Sequence, residues 1–171
     1  MSSRLARGDE VERWRADGWV LLDALIGPDE IDAAAAELPH LFPTPEAYHA
    51  DPEGETERWL GRPAERSEPE PYTWPPDGPG FRPEQHRWSK AFPMPGAPAL
   101  NRLCVHPSIV DFVERALATT DLRVYQAQTA AKYAGLVNYE QPLHRDRNHS
   151  WLPPFAGPPW YHVEGFLYLS D

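Results

Sequence analysis

Between residues 9 and 38 the apolar positions change period twice. Glu10-Val-Glu-Arg-Trp-Arg15 suits a short helix, and Gly18 ends it. Trp19-Val-Leu-Leu22 is a short apolar run bounded by Gly and Asp, which predicts a buried strand. Pro28 then suits a first helical position, Asp29 and Glu30 complement the helix dipole, and Ile31, Ala34, Ala35 and Leu38 share one helical face. The expected unit is helix, strand, helix. Periodicity returns at His106-Pro-Ser-Ile-Val-Asp-Phe-Val-Glu-Arg-Ala-Leu117, where Ile109, Phe112, Val113, Ala116 and Leu117 recur at helical spacing behind Pro107. Leu122 to Lys132 mixes β-branched, aromatic and alternating polar residues, as a half-buried strand does, and Gly135 ends it. Val163-Glu-Gly-Phe-Leu-Tyr-Leu169 is a further strand.

Composition changes the picture between residues 39 and 98, where fourteen of the 21 prolines fall. That density excludes long helices and central strands. Tyr48, Trp59, Tyr72, Trp74, Phe81 and Trp88 lie among them, and large aromatics contribute through burial, so an ordered excursion wrapped on the domain is expected rather than a free linker. At 171 residues the chain suits one domain. A formal charge of −10 disfavours a nucleic-acid backbone or an anionic membrane face as partner. The start lacks an apolar leader and no run reaches bilayer length, so a cytoplasmic protein is expected; the single Cys104 is compatible with a reducing compartment.

The chemistry concentrates in QPLHRDRNHSW, residues 141–151. The His-Arg-Asp triplet is not a kinase catalytic loop: Trp151 stands where the magnesium-binding Asn is required, no Gly-rich loop precedes it, and the chain is too short for two lobes. Two readings stay open on the residues alone. The triplet suits a solvated turn after Pro142, and it also suits a metal pair, because on a strand His144 and Asp146 project from one face while Arg145 points away. One imidazole and one carboxylate are two thirds of the facial triad of non-haem iron(II) sites.

The order of DGWVLLDALIGPDEID (residues 17–32), a proline-rich excursion, a helix opening HPSIV, a strand, HRD and EGFLYLSD (residues 164–171) resembles the phytanoyl-CoA dioxygenase family of iron(II) and 2-oxoglutarate dependent oxygenases. The likeness covers residues 9–38 and about 104–171; residues 39–98 match nothing in it. It implies an α+β, mostly β fold, an incomplete double-stranded β-helix of jelly-roll or cupin type with N-terminal helices packed outside. It implies that His144 and Asp146 ligate iron(II), that 2-oxoglutarate and O2 are cosubstrates, and that a small molecule is hydroxylated. Gln126, Gln128 and Lys132 share one strand face and are either 2-oxoglutarate contacts, as the resemblance implies for that strand, or a solvent-facing strand edge; Trp151 and Tyr133 either wall the substrate pocket or simply pack in the fold. The family's second histidine and its 2-oxoglutarate-binding arginine would fall after Asp171, so a truncated chain with feeble iron affinity is expected. His149 and His162 are read as structural or outer-shell groups, and His40, His49, His86 and His106 receive no role. A non-catalytic module on the same fold and a cupin-type metal-dependent isomerase or hydrolase are the alternatives.

Overall fold

The computed structural model describes residues 2–61, 88–133 and 163–169. Six helices and one strand pair organise these residues: α1 (Gly8–Asp17), α2 (Pro28–Ala35), a 3-10 turn (Leu38–His40), α3 (Pro45–Ala50), α4 (Pro52–Leu60), β1 (Ser89–Ala91), α5 (Pro98–Cys104), α6 (Pro107–Leu117) and β2 (Gln128–Ala130). Proline explains both their number and their shortness. Helices α2 to α6 each open on a proline, where the missing N–H costs nothing and the fixed φ already suits a helix. Residues that forbid a long helix thus start several short ones.

Capping completes several of their ends. Thr44 Oγ1 accepts from the Ala47 N–H at 3.3 Å ahead of α3, and Asp51 Oδ1 from the Gly54 N–H at 2.9 Å ahead of α4. Gly18 closes α1 at φ +79°, a left-handed conformation that a residue without Cβ adopts freely. Other caps come from distant elements and act as tertiary ties. Glu37, between α2 and the 3-10 turn, accepts the first N–H groups of α5, from Ala99 at 3.0 Å and Leu100 at 2.9 Å. From α1, the Arg15 guanidinium donates to the carbonyls of Ala116, at 3.1 Å, and of Arg115, which end α6. A carboxylate on a helix N-terminus and a cation on a C-terminus each complement the dipole they meet.

The core lies among these helices. Val11, Ala34, Phe42, Leu100, Leu103, Phe112 and Ala116 are buried, with Ile31, Leu38, Ile109 and Val113 packed around them. Trp14 of α1 meets Phe112 of α6 edge-on at 6.2 Å between ring centroids. Ala34 is fully buried, so α2 approaches its neighbours closely, as the small residues on that face allow.

The strand pair is antiparallel, with Ser89 opposite Ala130, Lys90 opposite Thr129 and Ala91 opposite Gln128. Phe92 N–H to Ala127 O at 2.9 Å and Ala131 N–H to Trp88 O at 2.8 Å extend the pairing by a bond at each end. The proline-rich excursion contributes β1, a three-residue edge strand. Its aromatics do what large rings do when buried: Tyr48 and Trp88 are core residues, and Trp88 is 2% exposed.

Three strands expected from hydrophobic pattern are shorter or unpaired here. Trp19–Leu22 has no ladder partner among the described residues, and only its alternate members Val20 and Leu22 pack on the core, leaving Trp19 and Leu21 exposed. Of residues 122–132 only Gln128–Ala130 form ladder pairs. Residues 163–169 pair with no other strand among the described residues; Leu169 touches the core while Phe166 and Tyr168 face solvent. An apolar run reports that side chains can be buried, but a ladder needs a second backbone at about 4.8 Å, which the run itself does not encode. Among the described residues no helix is long and apolar enough to cross a membrane.

Candidate functional site

The strand leading toward residues 141–151 has two unlike faces. In extended backbone successive side chains alternate, and along Gln128-Thr-Ala130 the exposure alternates with them. Ala131 packs on the core and Tyr133 is buried in it, whereas Gln126, Gln128 and Lys132 are exposed on the opposite parity. The three polar side chains expected on one face therefore lie on the side turned away from the helices. Two neutral amides and one ammonium in a row offer hydrogen-bond donors and a single positive charge, a set that suits a small dicarboxylate.

Tyr133 is packed into the core. Its parity is opposite to that of Lys132, and its ring lies on the helix side with Tyr48, at 4.2 Å between centroids, and Trp88, at 6.0 Å. Tyr48 and Trp88 complete the cluster edge-on at 5.2 Å. The Tyr133 hydroxyl donates to the Pro43 carbonyl at 2.7 Å. Burial, reinforced by Tyr48 and Glu55, pushes the phenol up to about 12, so it stays protonated and keeps donating. Tyr133 anchors the strand to the excursion. The Trp88 indole N–H, in the same cluster, is buried without an acceptor among the described residues.

His144, Asp146 and Trp151 lie outside the described residues, as do His149 and His162. Among the described residues no group of three or more His, Cys, Asp or Glu side chains could hold a metal ion. An imidazole with a carboxylate is nonetheless a donor set suited to iron(II), and the expectation for His144 and Asp146 rests on that chemistry and on the residue order.

A second polar cluster, which spacing alone does not reveal, joins three distant parts of the chain. Glu30 at the start of α2 accepts from the Ser3 hydroxyl through Oε1, and its Oε2 lies 3.0 Å from His106 Nε2; Ser3 Oγ in turn accepts the Gly27 N–H at 2.8 Å. Hydrogen bonds first from Ser3 and then from His106 hold the Glu30 carboxyl below its ordinary range. Serine, histidine and glutamate meet here in the wrong order for nucleophilic catalysis. The carboxylate stands between the other two, so the imidazole cannot take the serine proton. The cluster is a structural joint, and the only signal for it in the sequence is that His106 directly precedes Pro107 at a helix start.

Nearby, Glu10 is a buried carboxylate held by two arginines. Arg4 donates to it through both terminal nitrogens at 2.9 and 2.8 Å, the Arg7 N–H at 2.7 Å, and the Arg7 side chain pairs with it at 2.8 Å. The Arg4 hydrogen bonds hold its carboxyl below the ordinary range despite the opposing effect of burial. Both Glu10 oxygens are taken by arginine donors, so this cluster too is structural. Cys104 is half-buried, and burial pushes its thiol up, which disfavours the nucleophilic thiolate. No family model, no curated protein and no solved structure matches this chain.

Proposed function

We propose that the chain comes from a non-haem iron(II) and 2-oxoglutarate dependent dioxygenase of the phytanoyl-CoA dioxygenase type, hydroxylating a small molecule on a double-stranded β-helix. The observation that supports it most is the two-faced strand. Ala131 and Tyr133 fasten it to the helical layer, and Gln126, Gln128 and Lys132 line its open side, with Lys132 twelve residues ahead of His144. Helices behind a strand layer and polar groups in front are the division of labour that the resemblance calls for.

In this reading His144 and Asp146 hold the metal, and iron with 2-oxoglutarate and O2 supplies the oxidising power for an unactivated C–H bond. The chain's own residues bind and orient. His144 must be a neutral imidazole to donate its lone pair, so binding weakens in acid. The Asp146 carboxylate contributes negative charge as well as a ligand atom. Lys132 neutralises one carboxylate of the cosubstrate, and the Gln128 and Gln126 amides donate hydrogen bonds to its oxygens. Tyr133, locked by its bond to Pro43, keeps the register of the strand so that this row faces one way. Trp151 would exclude water from the reacting centre.

The test is succinate formation from 2-oxoglutarate with iron(II) and ascorbate, run on the full-length gene product. The expected result is iron-dependent turnover by the gene product that is lost in His144→Ala and in Asp146→Ala, while Lys132→Ala raises the 2-oxoglutarate concentration required. A gene product that binds no iron(II), or one whose turnover survives both ligand substitutions, overturns the proposal.

A further inference from the structure

His106 does an unusual job for its residue type. It occupies the N-cap position of α6, where Ser, Thr, Asp or Asn is the usual residue. Its Nδ1 accepts the Ser108 backbone N–H at 3.1 Å, so that nitrogen carries no proton, and the opposite nitrogen is left to donate to Glu30 Oε2 at 3.0 Å. The two contacts together define the neutral imidazole with its hydrogen on Nε2. Its side chain is 8% exposed, so solvent cannot replace either partner without movement.

The usual cap acceptors keep their lone pairs through mild acid, whereas the Nδ1 lone pair is the site at which an imidazole takes up a proton. Once it has done so, both ring nitrogens are donors. Glu30 still serves one of them, but the other faces the Ser108 N–H, donor against donor, at a helix end already carrying positive partial charge. We propose that His106 is a proton-sensitive clasp: neutral, it ties the N-terminus of α6 to α2 through Glu30; protonated, it releases the cap and frees the first turn of α6.

The surroundings limit what else can respond. From α2 the facing group is Glu30; from the N-terminal segment it is the uncharged Ser3 hydroxyl on the other Glu30 oxygen; from α5 it is Arg102, whose charge reaches Glu30. On α6 itself the contact is the Ser108 amide, and Asp111 is paired with Arg115. Glu30, held below its ordinary range, keeps its charge in mild acid. The joint is independent of the dioxygenase reading, since none of its members touches Gln126, Gln128 or Lys132.

The experiment is residue-resolved amide exchange in the first turn of α6, corrected for intrinsic rates and referenced to α1, for the native chain and for His106→Asn. Asparagine caps with an amide oxygen that does not titrate. Nitrogen-15 shifts of the ring at about pH 7.5 should report hydrogen on Nε2. Protection of the first turn in the native chain should fall about fivefold on acidification, while His106→Asn stays within about twofold. Hydrogen found on Nδ1, flat protection in the native chain, or an equal fall in His106→Asn would each overturn the proposal.

Discussion

Replacing Glu10 by glutamine tests whether the buried carboxylate clamp holds the N-terminal segment to α1. The two carboxylate oxygens are each committed twice. Oε1 faces Arg4 Nη2 and Arg7 Nη2, both at 2.8 Å, and Oε2 faces Arg4 Nη1 at 2.9 Å and the Arg7 N–H at 2.7 Å. Whichever way a glutamine amide is turned, its NH2 group meets two donors. Two charge-assisted hydrogen bonds are lost, each worth about 1.5–3 kcal/mol in a protein setting. The arginine side chains are 27% and 58% exposed, so water recovers part of that. A net loss of about 2–3 kcal/mol is expected, short of the ~3–5 kcal/mol seen when a fully buried pair is broken. For a chain of this size that lowers Tm by roughly 5–10 °C. The pH dependence carries a sign. Because the folded carboxyl titrates below its unfolded value, its stabilisation is complete above the unfolded pKa of about 4.3 and disappears as pH falls through the folded pKa. Circular dichroism melts of the native chain and Glu10→Gln should therefore differ by a constant amount at neutral pH and converge in acid below about pH 4. A difference under about 0.5 kcal/mol at neutral pH, typical of a surface pair, or one that grows in acid, would refute the argument.

Two further substitutions probe the ties that position the strand and α5. Tyr133→Phe should cost about 1–2 kcal/mol in urea unfolding, because it strands a buried Pro43 carbonyl, and should remove a phenol that titrates near 12 from an alkaline absorbance titration. An unchanged titration would show that Tyr133 is not the group near 12. Glu37→Ala should cost about 1–2 kcal/mol by uncapping α5, and a loss under about 0.3 kcal/mol would mean that water replaces the carboxylate freely at Ala99 and Leu100.

Helices α1, α2 and α6 were legible in the sequence because their signals are local, whereas α3, α4 and α5, in and at the edge of the proline-rich stretch, were not read individually. Pro28 and Pro107 mark starts, Gly18 marks a stop, and the spacing of Ile109, Phe112, Val113 and Ala116 marks the buried face, all within one or two turns of chain. The alternation that puts Gln126, Gln128 and Lys132 on one side and Tyr133 on the other is local too, since a strand has period two; what alternation does not say is which side is the core. That was decided by Tyr48, Trp88 and Pro43, residues some 45 to 90 positions away, which take Tyr133 into an aromatic cluster and leave the polar row outward. The pairing of β1 with β2 has the same origin, because a backbone ladder is specified by whichever segment arrives alongside. His106 shows the limit most clearly. The sequence places it before a proline at the head of a helix, but Glu30, 76 positions earlier, and the burial between α2 and α6 make its protonation state consequential. Elements follow from neighbours in the chain, whereas partners, burial and therefore chemistry follow from neighbours in space.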